Sequence, residues 1–201
     1  MIAVLTGDII GSEAVDAQIW LKPLKELMTR WGASPKIWEI YRGDEFQLKC
    51  KVEDAFTYCI AIKAAIKKCE NLNVRIGIGI GEESFESEKI TESNGSAFVH
   101  SGRLLNELKL EGRTLAIKTP DDGITEDLNI VLKWASLQFD AWTPALAEII
   151  LENIISPGLT QEELAQKLFI TQSSISQRSK RAQLDLLLET ANYFTQKIKQ
   201  L

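Results

Sequence analysis

The sequence predicts an α+β protein, a split βαβ sandwich followed by an all-α segment, and three stretches carry that expectation. Ile37–Tyr41 and Phe46–Lys51 read as two antiparallel strands around Arg42-Gly43-Asp44-Glu45, where a two-residue Gly-Asp connection supplies the φ > 0 that a tight hairpin needs. In Leu72–Gly81, Val74, Ile76, Ile78 and Ile80 alternate with Arg75, Gly77, Gly79 and Gly81, the period of a strand whose second face is almost bare. After Thr125 only helix-period stretches follow, and Thr160 with Glu163 forms a capping-box pattern.

The elements follow in order. Ile2-Ala3-Val4-Leu5 is a buried strand that delivers Asp8 to the rim of the sheet, with Gly11-Ser12 beyond it. Val15, Ile19, Trp20, Leu24, Leu27, Met28 and Trp31 give Ser12–Trp31 one apolar face, and Pro23 makes that helix start late or kink. The hairpin comes next, then a helix over Val52–Cys69 with scattered lysines, Glu53 or Asp54 standing near its positive end. The alternating strand follows, and its glycines let a helix, a second subunit or a ligand come close. Glu82–Asn94 is a polar, acidic loop, Ser101–Leu110 a helix and Thr114–Lys118 a short strand. The order β-α-β-β-α-β-α-β suits a ferredoxin-like sandwich, with helices on one face and the other face free. Helices over Leu128–Phe139 and Pro144–Ile155 then connect to Thr160–Leu168, Gln172–Arg181 and Leu184–Phe194. The expected division is 1–120, a helical connector 121–157, and a C-terminal unit 158–201.

Composition sets bounds. With 201 residues and 45% hydrophobic content, the chain can bury a sizeable core. No apolar run nears the ~20 residues of a membrane span, and Met1 leads straight into a strand, so the expectation is a soluble cytoplasmic protein with no membrane partner. Three cysteines without CxxC spacing argue against zinc and against a disulfide framework. The net charge of −5 hides an asymmetry: residues 158–201 hold six lysines and arginines against four carboxylates, a net +2.

Asp8 and Asp44, on neighbouring strand ends, would make an oxygen-lined site suited to Mg²⁺ with a nucleotide triphosphate. Gly11, Ser12, Arg42 and Gly43 surround them as candidate nucleotide contacts. Arg42 and Lys49 either face phosphates or pair with acids across the strands. His100, the only histidine, lies next to this presumed site and is either a general base or, more simply, a structural residue.

Together, Asp8-Ile9, Gly43-Asp44-Glu45-Phe46, Arg75-Ile76-Gly77-Ile78-Gly79 and Val99–Leu104 resemble the catalytic domain of class III nucleotide cyclases, and the hairpin is similar to the GGDEF signature of diguanylate cyclases. The whole chain resembles the SatD family, small bacterial proteins that pair such a cyclase-type domain with a DNA-binding tail. The cyclase resemblance, over about the first 118 residues, implies that Asp8, Asp44 and the Ile9 carbonyl bind Mg²⁺ or Mn²⁺. It implies that Arg103 is the catalytic arginine, that a purine nucleotide binds, and that the protein is a homodimer in which two subunits complete each site. Two family positions differ: Val99 stands where an asparagine is expected and Ile40 where a base-reading lysine is expected, so the phosphate-handling parts survive better than the base-reading parts.

In the C-terminal unit, Leu164, Ala165, Leu168, Ile170 and Ile175 fall where a helix-turn-helix needs a small residue at the crossing and apolar residues around it. Phe169 stands where the turn usually has glycine. Thr171 caps the second helix, whose outward residues Gln172, Ser173, Ser174, Ser176, Gln177, Lys180 and Arg181 are short, polar or basic, suited to base edges and phosphates of double-stranded DNA. The expected function is a DNA-binding transcriptional regulator that senses a nucleotide with Mg²⁺. The competing readings are a Mg²⁺-dependent purine nucleotide cyclase with a DNA-targeting tail, and a catalytically dead dimerisation domain on a DNA-binding protein.

Overall fold

The computed structural model describes residues 1–201. Strands β1 (Ile2–Ile10), β2 (Trp38–Tyr41), β3 (Glu45–Cys50), β4 (Asn73–Gly81) and β5 (Leu115–Lys118) alternate with helices α1 (Ala17–Thr29), α2 (Ala55–Lys67) and α3 (Ser96–Glu111) in the expected order. Five helices follow: α4 (Asp122–Asp140), α5 (Pro144–Ile155), α6 (Gln161–Leu168), α7 (Gln172–Arg181) and α8 (Leu184–Ile198). The protein is α+β, built on one mixed five-stranded sheet in the order β2-β3-β1-β4-β5. The first four strands run antiparallel to their neighbours, and β5 joins β4 in parallel through α3. No helix is long and apolar enough to cross a membrane.

Alternation along the strands divides the two faces. Leu5, Ile9, Leu48, Ile76, Ile78 and Ile80 point into one apolar cluster with Trp20, Leu24 and Met28 of α1 and Phe56, Ile60 and Ile62 of α2. The same cluster takes in Leu128, Leu132 and Phe139 of α4, Ile150 of α5 and Leu187, Phe194 and Ile198 of α8. Phe194 stacks on Phe56 with ring centroids 5.0 Å apart, so the last helix closes over α2. Ile149, Leu164, Ala165 and Ile175 form a separate small core between α5, α6 and α7, and two further small clusters lie under α3, around Val4 and Phe98 and around Leu104 and Leu108.

The opposite face is not free, as the sequence suggested, because α3 covers it. A Cβ on Gly77 would lie 2.8 Å from Leu104 Cβ and one on Gly79 2.2 Å from the Ala97 carbonyl, so the glycines admit a helix of the same chain. They therefore give no ground for a subunit interface there.

Several boundaries move for physical reasons. β1 runs on to Ile10, placing Asp8 inside a paired strand rather than past its end. Thr6 and Asp8 break the apolar pattern, but both lie on the α3 face, where Thr6 donates to Ser101 at 2.8 Å and Asp8 accepts from Arg75. The hairpin loop has three residues, Arg42-Gly43-Asp44, since Tyr41 pairs with Glu45, and Arg42 and Gly43 both take positive φ. α4 starts at Asp122 rather than Leu128: Asp121 caps it by accepting from the Ile124 N–H, and its polar first turns mask the helix in the sequence. Pro23 is tolerated inside α1, where the Ile19 carbonyl it deprives of a backbone donor accepts from Cys69 Sγ at 3.7 Å. The acidic loop after β4 is anchored by buried Ile90, whose N–H donates to the Pro35 carbonyl.

One lysine of α2 is not at the surface. Lys63 is completely buried, and its Nζ donates to the Val74 carbonyl at 3.0 Å and to Asp140 Oδ1 at 3.4 Å. Asp140, at the end of α4, also accepts from Asn73 Nδ2 and Thr114 Oγ1, and its carbonyl accepts from Lys67 Nζ. This network ties α2, β4, α4 and the start of β5 together. Burial holds Lys63 below the ordinary lysine value of 10.5 despite the attraction of Asp140. Replacing Asp140 by alanine strands a buried ammonium and is expected to cost about 3 kcal/mol in urea unfolding, much of it recovered in an Asp140→Ala, Lys63→Met double variant. The unfolded chain keeps the Lys63 proton up to 10.5 and the folded chain loses it earlier, so this group makes stability rise with pH between the two values. Stability difference curves between wild type and Lys63→Met should show that slope.

Candidate functional site

Most of the sequence-predicted rim residues come together at one end of the sheet. The Ile9 N–H donates to the Asp44 carbonyl at 3.2 Å, and Ser12 Oγ donates to Asp44 Oδ2 at 2.6 Å, joining the Gly11 turn after β1 to the hairpin tip. Gly11 and Gly43 sit at φ 87° and 89°, and Asp8 lies directly across from Glu45 on β3. Arg42 is exposed at the tip, 3.9 Å from Glu45.

Asp8 faces cations. It lies opposite Arg75 in the β1–β4 register, and Arg75 Nη1 donates to both its oxygens, at 2.9 and 2.7 Å. Both side chains are largely buried, and Arg75 Nε is spent on the Arg113 carbonyl at 3.2 Å. Lys109, on the last turns of α3, donates to Glu45 at 2.9 Å and stands 3.9 Å from Asp8. Beside them the Tyr41 hydroxyl is pushed up to about 12 by burial and by the Glu45 carboxylate. The rim is thus a mixed-charge cluster of Asp8, Glu45, Arg75 and Lys109. Arg75 and Lys109 were not singled out from sequence as site residues, although Arg75 shares the bare face of its strand with the glycines.

These residues, as they stand, do not fit a resident metal ion. Both Asp8 oxygens are on a guanidinium, one Asp44 oxygen accepts from Ser12, and Ile9 is buried within the paired strand. No group of three or more His, Cys, Asp or Glu side chains gathers as a metal centre.

Three further candidates lie elsewhere. Arg103 is exposed on the outer side of α3 with no ionic partner, while Leu104 and Leu105 face inward. His100 Nδ1 donates to the Ile80 carbonyl at 2.9 Å, and Ile80 pairs with Ala3, five residues or roughly 17 Å along β1 from Asp8. It is a structural residue, out of reach of the rim. Lys49 pairs with Glu83 at 2.8 Å and Glu86 at 3.0 Å; burial lowers its pKa, but these carboxylates outweigh that and raise it overall.

The second candidate surface lies on α6 and α7. Thr160 accepts from the Glu163 N–H and Glu163 caps the Thr160 N–H in return, as the pattern predicted. Phe169 ends α6 in the left-handed region at φ 55° and is almost fully exposed. Thr171 caps α7 by accepting from the Ser174 N–H at 3.2 Å. Ile175 is buried against Leu164, Ala165 and Ile149, which fixes the rotation of α7. Gln172, Ser173, Ser176, Gln177, Lys180 and Arg181 are left exposed, with Ser174 half-buried and its hydroxyl beside Thr171 Oγ1. Neither Lys180 nor Arg181 has an acidic partner, whereas Arg178 turns back to Glu148 of α5 at 3.5 Å.

The sequence model of the SatD family matches residues 1–198. The chain belongs to the SatD family. A search of the curated proteins found no match. In this SatD protein the Asp8–Arg75 pair has a direct consequence. Asp8→Ala leaves a largely buried guanidinium short of its partner and is expected to lower stability by about 2 kcal/mol in urea unfolding. Mg²⁺ alone should leave the wild-type melting temperature unchanged; a rise without nucleotide would show that the carboxylates are free to bind metal.

Proposed function

We propose that this SatD protein is a DNA-binding transcriptional regulator in which α6 and α7 act as the supporting and recognition helices of a helix-turn-helix. The observation that carries the reading is the exposed face of α7. Its rotation is fixed by Ile175, and it offers Gln172, Ser173, Ser176 and Gln177 followed by unpaired Lys180 and Arg181. A recognition helix contacts base edges with its N-terminal residues, and uncharged hydrogen-bonding side chains there suit base edges, while the cations suit phosphates. Its position on the small core between α5, α6 and α7 leaves that face clear of the sheet.

The sheet rim is the proposed sensor, and its ligand class is a purine nucleotide. The antiparallel order β2-β3-β1-β4 with α1 and α2 on one face supports a ferredoxin-like, cyclase-type domain. Arg42 is the exposed cation for phosphates, beside Gly11, Ser12 and Gly43, and Arg75 and Lys109 would have to exchange their contacts with Asp8 and Glu45 to join it. Any Mg²⁺ or Mn²⁺ at this rim comes with the nucleotide's phosphates, which supply much of such an ion's coordination. The competing reading, a purine nucleotide cyclase, has less support: Asp8 is paired with Arg75, Arg103 points away, and Ile40 packs against the core.

Titration of promoter DNA from the protein's own operon, at low and moderate salt, tests the regulator reading. Gln177→Ala should relax sequence preference with little loss of non-specific affinity, each base contact being worth about 1–3 kcal/mol. Arg181→Ala should weaken all DNA alike and flatten the salt slope by about one unit. No preference of the wild type over random DNA at either salt would overturn the reading.

A further inference from the structure

A pocket of about 380 Å³ opens among α5, α6, α7 and α8, a volume within the ~300–1,000 Å³ range of small-molecule sites. Part of its wall is the core itself: Leu164 and Ile175 are buried members of the small cluster that holds α7, and Leu184 adds to them from the start of α8. Two further leucines of the wall are not buried, Leu159 at 37% and Leu188 at 47% exposure, so apolar surface stands open in the same pocket.

The polar part of the wall is largely uncommitted. Asn153 is held, donating to the Ile149 carbonyl at 2.8 Å. Ser179 of α7 is half-buried, and its hydroxyl has no hydrogen-bond partner. Lys180 in the last turn of α7 and Asp185 in the first turn of α8 are both exposed, and neither pairs with any charged group, including the other. Each charge suits the dipole of its own helix, a cation near a C-terminus and an anion near an N-terminus. That accounts for their signs, but not for two opposite charges left apart on the wall of one pocket that also exposes leucines.

We propose that this pocket binds an α-amino acid with an apolar side chain. Such a molecule carries a carboxylate, an ammonium and an apolar group on one carbon, which are the complements of the three parts of the wall. Its carboxylate meets Lys180, its ammonium meets Asp185, and its side chain covers the leucines beside Leu164 and Ile175. A ligand with a single charge leaves the lysine or the aspartate unanswered, and a ligand with no apolar part leaves the leucines in water.

The bound amino acid also regulates α7. This half rests on the DNA-binding reading, in which Lys180 faces phosphates and Ser176 faces base edges, and both residues line the pocket. A carboxylate on Lys180 takes one cation away from the DNA, so the ligand weakens binding to all duplexes and flattens the salt slope by about one unit.

Isothermal titration calorimetry of the full chain with L-leucine, L-methionine and L-phenylalanine tests the binding. At least one of them is expected to bind at one site per chain below about 10 mM. The carboxylate and the amine that correspond to whichever binds, 4-methylpentanoate and 3-methylbutylamine for leucine, are each expected to bind about tenfold more weakly, having lost one charge-assisted contact. Asp185→Asn and Lys180→Gln are expected to weaken the amino acid by a similar factor, and because both side chains are exposed, to keep the wild-type melting temperature. No binding of any of the three, equal binding of a one-charge analogue, or a folded Asp185→Asn that binds as the wild type does would each overturn the proposal. Titration of the operon duplex with and without the amino acid tests the regulation, with weaker binding and a flatter salt slope expected for the wild type and no change for Asp185→Asn. A wild type that binds the amino acid yet keeps its DNA affinity overturns the regulatory half alone. A wild type with no preference for operon DNA overturns the regulator reading and leaves the calorimetry standing.

Discussion

Helix α3 reaches the sheet because β4 presents hydrogen atoms where side chains would stand. At Gly77 and Gly79 the backbone and Cβ atoms of α3 come so close that any Cβ on the strand would displace the helix. The α3 side of the rim depends on that approach. It brings Ser101 to Thr6 in the middle of the sheet and carries Lys109 to Glu45 and Asp8 at its edge. Arg75, the one large side chain on that face of β4, stands just past the glycines, where it reaches across to Asp8. The same five-residue stretch of strand, Arg75 to Gly79, thus sets both the packing of α3 and the charge of the candidate nucleotide site.

The rest of the chain is held to this layer by the opposite face. α2 lies between the sheet and the helices α5 and α8, α4 packs directly on β5, and Lys63 is the polar member of that layer, satisfied by Val74 and Asp140. A buried ion pair adds little net stability compared with an apolar pair of similar shape, but it is costly to break, so it fixes which helix meets which. Phe194 and Ile198 of α8 enter the same core, so the segment that follows α7 is packed on the layer that covers the sheet.

Much of the fold was legible in the sequence because local chemistry dictated it. The β4 alternation, the hairpin glycine, the Thr160–Glu163 capping box and the Thr171 cap all mark elements that are present. The small core of Leu164, Ala165 and Ile175 followed from spacing alone. What was missed depended on partners distant in sequence. Thr6 and Asp8 made β1 look four residues long because their partners, Ser101 and Arg75, lie 95 and 67 residues away. Lys63 was only one of the scattered lysines of its helix, because nothing near it announces Asp140. Arg75 was visible in the strand pattern, yet only the β1–β4 register shows that it neutralises Asp8. Arg103 illustrates the opposite case: a position taken from family resemblance falls on the outer face of α3, while Lys109, two turns on, meets the rim.

The central claim is that α7 is the surface that reads DNA. Hydrogen exchange of the full chain, free and with a duplex from its own operon, tests this most directly. Slower exchange of amides in residues 171–181, with those of residues 8–12 and 42–45 unchanged, is the result expected from the geometry. Protection confined to the rim, or none in 171–181 on a duplex that binds, would contradict it.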